Sequence, residues 1–334
     1  MESAAVRERG ELSIFQRLAE AALPQYGLSP RASATLLNQS ENVTYRIDDP
    51  ATGLRSVLRI HRVGYHSRDA IASELAWMEA LRREGVVPTA EAIPARDGSI
   101  IQVLESPDLP EARHAVMFTF LTGSEPPEES LAEPFERLGE VTAHMHVHAK
   151  SWARSPEFVR HVWDLETMFG PEPTWGRWQE GIGVDGDALR LLGRLCEALH
   201  RRIDEYGKGP ERFGLVHADL RLANLLVDGP VTRVIDFDDC GFSWYIYDLA
   251  AALSFIEHRH DVPQLITAWL KGYRRTAPLA AVDEDEIWTF ILLRRLLLVA
   301  WVGSHAETET AQSQGADFTI GTCRLAREYL ARFG

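Results

Sequence analysis

The order of apolar and polar positions divides this chain into two unlike parts. Leu36–Ile47 reads as two strand pieces around the polar turn Asn38-Gln-Ser-Glu-Asn42, and Ser56-Val-Leu-Arg-Ile-His61 as another strand. Ser73-Glu-Leu-Ala-Trp-Met-Glu-Ala-Leu-Arg82 has helical spacing, and His114-Ala-Val-Met-Phe-Thr-Phe-Leu-Thr-Gly123 is a buried strand that runs into a glycine turn. In Thr122-Gly-Ser-Glu-Pro-Pro-Glu-Glu-Ser130, Gly, Pro and charge replace the apolar strand, which marks a boundary. Beyond it helices dominate, expected over roughly 132–150, 187–206, 243–258, 261–275, 284–303 and 317–332. An irregular stretch rich in Trp, Pro and Gly fills 151–186, and Leu225-Leu-Val227 and Val231–Phe237 form a hairpin across the turn Asp228-Gly229-Pro230. The pattern predicts an α+β chain: residues 1–122 as a small part of mixed strands with one major helix, and 123–334 as a larger, mainly helical part.

Composition changes this picture little. At 334 residues the chain is long enough to bury a large core. Its net charge of −14, from 35 basic and 49 acidic residues, argues against nucleic acid as a partner and suits a cationic one. Cys196, Cys240 and Cys323 are too scattered for a disulfide framework or a metal knuckle, so a cytoplasmic protein is expected. The first residues lack the apolar core of a secretory signal. Ile287–Val302 is the most apolar long run, but Arg294 and Arg295 interrupt its centre, so a buried helix is expected there and no membrane span.

Chemistry concentrates in Gly214–Val227 and Val231–Asp239. His217, Asp219 and Asn224 stand in the order H-x-D-x-x-x-x-N, with Asp236 twelve residues beyond the asparagine. A hydroxyl is a poor nucleophile, so a carboxylate has to accept its proton as the bond to phosphorus forms, and Asp219 is the candidate. Mg2+ is a hard ion that prefers oxygen, which suits Asn224 and Asp236, with Asp238 as a second contact. Arg221 is placed to offset charge on the transferring phosphate, and His217 to brace the loop through hydrogen bonds. The hairpin brings Asn224, before its first strand, near Asp236, at the end of its second. Phosphoryl transfer from ATP follows as the leading reading.

These residues resemble the catalytic and metal-binding loops of the aminoglycoside phosphotransferase and choline kinase superfamily, which shares the protein-kinase fold. The His-x-Asp and Asp-Phe-Asp forms most resemble the branch of type II homoserine kinases and the bacterial stress-response kinase. The resemblance implies a two-lobed protein-kinase-like fold, with an N-terminal lobe of antiparallel sheet plus helix, ATP in the cleft and Mg2+ on the C-terminal lobe. It places Ser40 and Asn42 in a phosphate-facing turn, Arg59 where the family has its ATP-binding lysine, and Glu74 as the acid that pairs this cation. The carbonyl of Thr119 and the amide of Leu121 would meet the adenine edge, and Asp248 would brace the catalytic loop. Arg59 is the departure from the pattern, a planar fork in place of a point charge.

Three functional classes stay open: a kinase for the hydroxyl of a small, amino-bearing metabolite (homoserine-kinase-like or aminoglycoside-phosphotransferase-like), a Ser/Thr protein kinase, and a non-catalytic nucleotide binder. The first is favoured, with a small-molecule hydroxyl as partner. His144, His146 and His148 lie at helical spacing, where alternate residues splay apart; one is expected in the core and the others exposed. Trp163, Trp175 and Trp178 read either as a wall for a cationic amine or as packing of the irregular stretch.

Overall fold

The computed structural model describes residues 4–39, 42–126 and 130–334, the side chains of 4–12 excepted. The chain forms two compact units. The first holds residues up to Ala80, with Thr89–Thr122 and Ser155–Val159; the second holds Leu81–Pro88, Gly123–Arg154 and Arg160–Gly334.

In the first unit, helix α1 (Ala4–Ala22) precedes strands β1 (Ser33–Gln39), β2 (Val43–Asp49) and β3 (Leu54–Ile60). Helix α2 (Arg68–Arg83) follows, then β4 (Ala92–Ile93), β5 (Gln102–Leu104) and β6 (Arg113–Thr119). The strands make one antiparallel sheet in the order β1-β2-β3-β6-β4, with β5 also paired to β6. Period-two alternation drives it: β2 sends Val43, Tyr45 and Ile47 inward, where they join Leu58, Ile60 and Met117 in the core. α2 opens with Asp69 and closes with Arg82 and Arg83, which matches the helix dipole, and Ser67 Oγ accepts from Ala70 N at 3.1 Å. α1 is a second helix that the sequence pattern does not announce. Its buried stripe, Leu18, Ala19 and Ala22, is largely alanine and barely stands out from its polar neighbours.

The second unit contains α3 (Ala132–Ser151), β7 (His161–Val162), α4 (Leu165–Phe169), α5 (Gly186–Tyr206), β8 (Phe213–Val216), β9 (Leu225–Asp228) and β10 (Val231–Val234). After these come β11 (Gly241–Trp244), α6 (Tyr247–Ala252), α7 (Val262–Tyr273), α8 (Ala281–Asp285), α9 (Ile287–Ser304) and α10 (Glu309–Phe333). β9 and β10 form the hairpin, and β7-β11-β8 a small sheet, parallel on one side of β11 and antiparallel on the other. The helix expected over 243–258 is instead the end of β11, the short α6 and a run of turns, because Gly241–Trp244 pairs with β8. α9 is the one helix among the described residues long and apolar enough to cross a membrane, yet 78% of its apolar window is buried inside the unit. It is a core helix, and Arg294 and Arg295 are buried with it. On α3, His144 is exposed while both His146 and His148 are buried. The burial of His148 differs from expectation: it lies 3.3 Å from Glu84 and stacks on Trp152.

Candidate active site

The second unit carries the hydroxyl-and-metal motif on two loops. β8 ends in His217-Ala218-Asp219, a single 3-10 turn covers Leu222–Asn224, and β9 follows. Asp248, fully buried at the start of α6, binds the first loop from behind. Its Oδ1 accepts from Ala218 N at 2.8 Å, and its Oδ2 from His217 N at 3.2 Å. His146 Nε2 lies 2.9 Å from the same Oδ2, and Nδ1 of that ring 3.1 Å from the Tyr273 hydroxyl. Burial, and then the charge of Asp248, push the Tyr273 phenol well above its usual pKa. A carboxylate only accepts, so Nε2–H of His146 donates to Asp248. Within the braced loop Ala218 has φ 67°, a left-handed value in which its small side chain limits the strain.

Asp219 is held on both carboxylate oxygens. Oδ2 accepts from Asn224 Nδ2 at 3.0 Å and from Arg221 Nε at 3.3 Å, while Asn224 Nδ2 also reaches the Asp219 carbonyl at 2.7 Å. Oδ1 accepts from Arg294 Nη2 at 2.7 Å. Arg294 comes from the middle of α9, and sequence reasoning registered it only as an interruption of an apolar run. Its Nη1 donates to Tyr247 Oη at 2.9 Å and its Nε to Ser254 Oγ at 3.1 Å, with the Trp175 ring 5.1 Å from the guanidinium carbon. Burial works against the charge of Arg294, but Tyr247 and Asp219 outweigh it, so its pKa rises above the ordinary arginine value.

The second loop is tied to the first by backbone. Ile235 N donates to the Asn224 carbonyl at 3.0 Å, which fixes Asp236 one residue from the asparagine. That bond continues the β9–β10 register by one pair; β10 stops short of Phe237 because Asp236 turns off at φ 61°, with its side chain exposed. His217 spans the loops, with Nε2 facing the Ile235 carbonyl at 3.2 Å, Nδ1 accepting from Asp219 N at 3.4 Å, and its ring against Phe237. Both nitrogens are engaged, so the imidazole links the two loops. Asp238 is buried, and the Trp-rich stretch grips the backbone around it. Arg160 donates to the carbonyls of Asp238 and Cys240, and Trp163 Nε1 to that of Asp239 at 2.8 Å. Trp163, Trp175 and Trp178 are all buried, and the cation under Trp175 is the chain's own Arg294.

The residues present fit a divalent cation. With its amide nitrogen committed to Asp219, Asn224 turns its oxygen the other way, and Asp236 adds an exposed carboxylate on the adjoining loop. Among the described residues no three His, Cys, Asp or Glu side chains converge into a metal cage.

The first unit contributes its own cluster. On β3, Arg59 Nη2 reaches both oxygens of Glu74, at 2.7 and 2.8 Å, and both side chains are buried. Nη2 bridges both carboxylate oxygens. The guanidinium sits 5.1 Å from the Phe118 ring centre. Asn42 is buried and its Oδ1 accepts from Arg62 N at 3.2 Å; Ser40 lies outside the described residues. Thr119 ends β6, held by Glu91, and Leu121 follows, half-buried, outside any regular element. Arg59→Lys is expected to keep the Glu74 ion pair and kcat while raising KM for ATP up to about tenfold, the equivalent of ~1.4 kcal/mol, as a planar donor becomes a point charge. Steady-state kinetics against ATP read this, and a collapse of kcat would contradict it.

Residues 34–280 match the model of the phosphotransferase enzyme family. The microcompartment-associated aminopropanol kinase is 44% identical in sequence, over 95% of this chain and 98% of that one, with a TM-score of 0.88. Amicoumacin kinase of Bacillus subtilis (strain 168) is 26% identical over 322 residues, 92% of this chain and 90% of the relative. The structure of amicoumacin kinase hAmiN in complex with AMP-PNP, Ca2+ and Ami shares the fold at a TM-score of 0.74 and 23% identity, over 93% and 91% of the two chains. The α+β architecture and the family resemblance thus agree with the family match over most of the chain, which belongs to the phosphotransferase enzyme family and is an ATP-dependent kinase for a hydroxyl acceptor.

Proposed function

We propose that this kinase phosphorylates the hydroxyl of a short amino alcohol of the aminopropanol type, with Mg2+ as its metal. The observation that carries the reading is the 44% identity to an aminopropanol kinase across nearly the full length of both chains. Amicoumacin kinase is more distant, at 26% identity. An acidic chain of net charge −14 favours an ammonium-bearing acceptor over an anionic one.

In this reading Asp219 takes the proton of the acceptor hydroxyl as that oxygen bonds to phosphorus. Asn224 and Asp236, with Asp238 behind them, hold Mg2+, which when bound offsets charge on the phosphates. Arg221 lies beside the base and faces the transferred group, and His217 keeps the two loops in register. Arg59, set by Glu74, holds α- and β-phosphate oxygens, Asn42 flanks the turn assigned to them, and Thr119 and Leu121 present backbone to the adenine.

An ATP-consumption screen over 1-amino-2-propanol, ethanolamine, homoserine, choline, aminoglycosides and generic protein substrates tests the acceptor, with product identified by mass spectrometry. Short amino alcohols should give the highest kcat/KM. Phosphate appearing on homoserine, an antibiotic or protein, with none on the amino alcohols, would overturn the assignment.

A further inference from the structure

We propose that Arg294 is a positioning residue for phosphoryl transfer: from the middle of α9 it fixes the Asp219 carboxylate so that Oδ1 receives the acceptor's proton. The inference rests on the reading of Asp219 as the base and adds which oxygen acts and what aims it.

A carboxylate oxygen offers two lone-pair positions. Oδ2 of Asp219 has both filled, by Asn224 Nδ2 and Arg221 Nε. Oδ1 has one donor, Arg294 Nη2 at 2.7 Å, and so keeps one position for a hydroxyl. Arg294 is itself immobilised. Each of its nitrogens has an acceptor, in Ser254, Tyr247 and Asp219, and its plane lies near the Trp175 and Tyr247 rings, at 5.1 and 5.7 Å. A guanidinium tied at three nitrogens cannot swing, and the carboxylate bound to it cannot rotate. The adjacent Arg295 shows the contrast: it is spent on Glu257, Thr322 and the Phe318 carbonyl, away from the loop. In the reaction the acceptor O–H bond breaks, its oxygen bonds to the γ-phosphorus, and the bond from that phosphorus to the β–γ bridging oxygen breaks. The proton passes to Oδ1, and ADP leaves with the electron pair.

The test compares the parent with Arg294→Met and Arg294→Lys. It measures acceptor phosphorylation, acceptor-independent ATP hydrolysis and ADP affinity by calorimetry. Arg294→Met should lose kcat on the order of 10²-fold, the usual effect of a misplaced reacting group, with KM for ATP and ADP affinity unchanged. Lysine should recover part of the loss, and millimolar methylguanidinium should restore part of it in the methionine variant alone. Parental kcat in Arg294→Met overturns the proposal. So does a loss matched by an equal loss of ADP affinity that neither lysine nor methylguanidinium recovers. If the methionine variant does not fold, Tyr247→Phe and Ser254→Ala decide: each should lower kcat at constant KM, and parental kcat in both overturns the proposal. A wrong acceptor class appears separately, as absent acceptor phosphorylation with ATP hydrolysis still falling in the Arg294 variants. A wrong base appears as Asp219→Ala with parental rates.

Discussion

Asp219→Ala is expected to lower kcat by about 10²- to 10⁴-fold, the usual contribution of a positioned general base. The loss should appear in turnover and not in nucleotide binding. Phosphoryl transfer passes through a loose transition state in which charge sits on the phosphate oxygens and the proton moves late, so the carboxylate acts on the acceptor and not on ATP. The geometry lets the change stay local. Asn224 keeps its 2.7 Å bond to the residue-219 carbonyl, which is backbone and survives the substitution. Arg294 keeps Tyr247 and Ser254. Asn224 and Asp236 stay joined through Ile235 N. Asp219→Asn is the poorer probe: with its oxygen toward Arg294, the new amide would point a donor at Asn224 Nδ2 and Arg221 Nε, which are donors themselves. Coupled-enzyme turnover and calorimetric ADP binding read both halves, and kcat within threefold of the parent would remove Asp219 from the role of base.

How much of this site the sequence discloses depends on how local each contact is. His217, Asp219, Asn224 and Asp236 lie on two loops joined by one hairpin, so their spacing and the strand pattern bring them together before any tertiary fact is known. Asp248 is also near in sequence, thirty residues from Ala218, and a buried acid at a helix start is a readable signal. Arg294 is different. It sits seventy-five residues from Asp219 in a helix buried all round, where no periodicity distinguishes the side facing the site, so a charge reads as an interruption. The only available signal was its cost: a charge buried in an apolar helix demands a partner of opposite sign. Two such arginines stand side by side there, and composition does not say which acid each has taken. The Trp-rich stretch was illegible for a related reason. Its function is carried by single hydrogen bonds to backbone carbonyls at 238–240, and backbone acceptors leave no mark in a sequence. The end of β10 was misjudged because a left-handed turn at Asp236, φ 61°, breaks the extended run, and an aspartate gives no sign of it in the apolar pattern.

Gly272→Ala is expected to destabilise the second unit by about 3 kcal/mol, the upper part of the usual cost of overpacking. Propensity argues the opposite sign, since alanine is better than glycine in a helix interior by roughly 0.5–1 kcal/mol. Sterics decide. A Cβ on Gly272 of α7 would stand well inside 3.0 Å of the Glu136 carbonyl oxygen on α3, and one on Gly139 of α3 equally close to the Trp269 carbonyl on α7. Backbone is the obstacle in both cases, so no rotamer change relieves it and the helices must separate. A loss of ~3 kcal/mol corresponds to a fall in Tm of about 6–12 °C for a unit of this size. Separation should also reach the catalytic loop, because α3 carries His146 and α7 carries Tyr273, whose 3.1 Å contact backs the Asp248 carboxylate. Activity should therefore drop in Gly272→Ala below its Tm, and Gly139→Ala should behave alike. The double variant should cost less than the sum, since helices already apart accommodate a second methyl. Gly193→Ala on α5 is the internal control: nothing lies within 4 Å of its Cβ position, so propensity alone acts and Tm should hold or rise. A calorimetric scan of the four variants beside the parent separates the two effects, and Gly272→Ala melting with Gly193→Ala would show that α3 and α7 do not meet through their glycines.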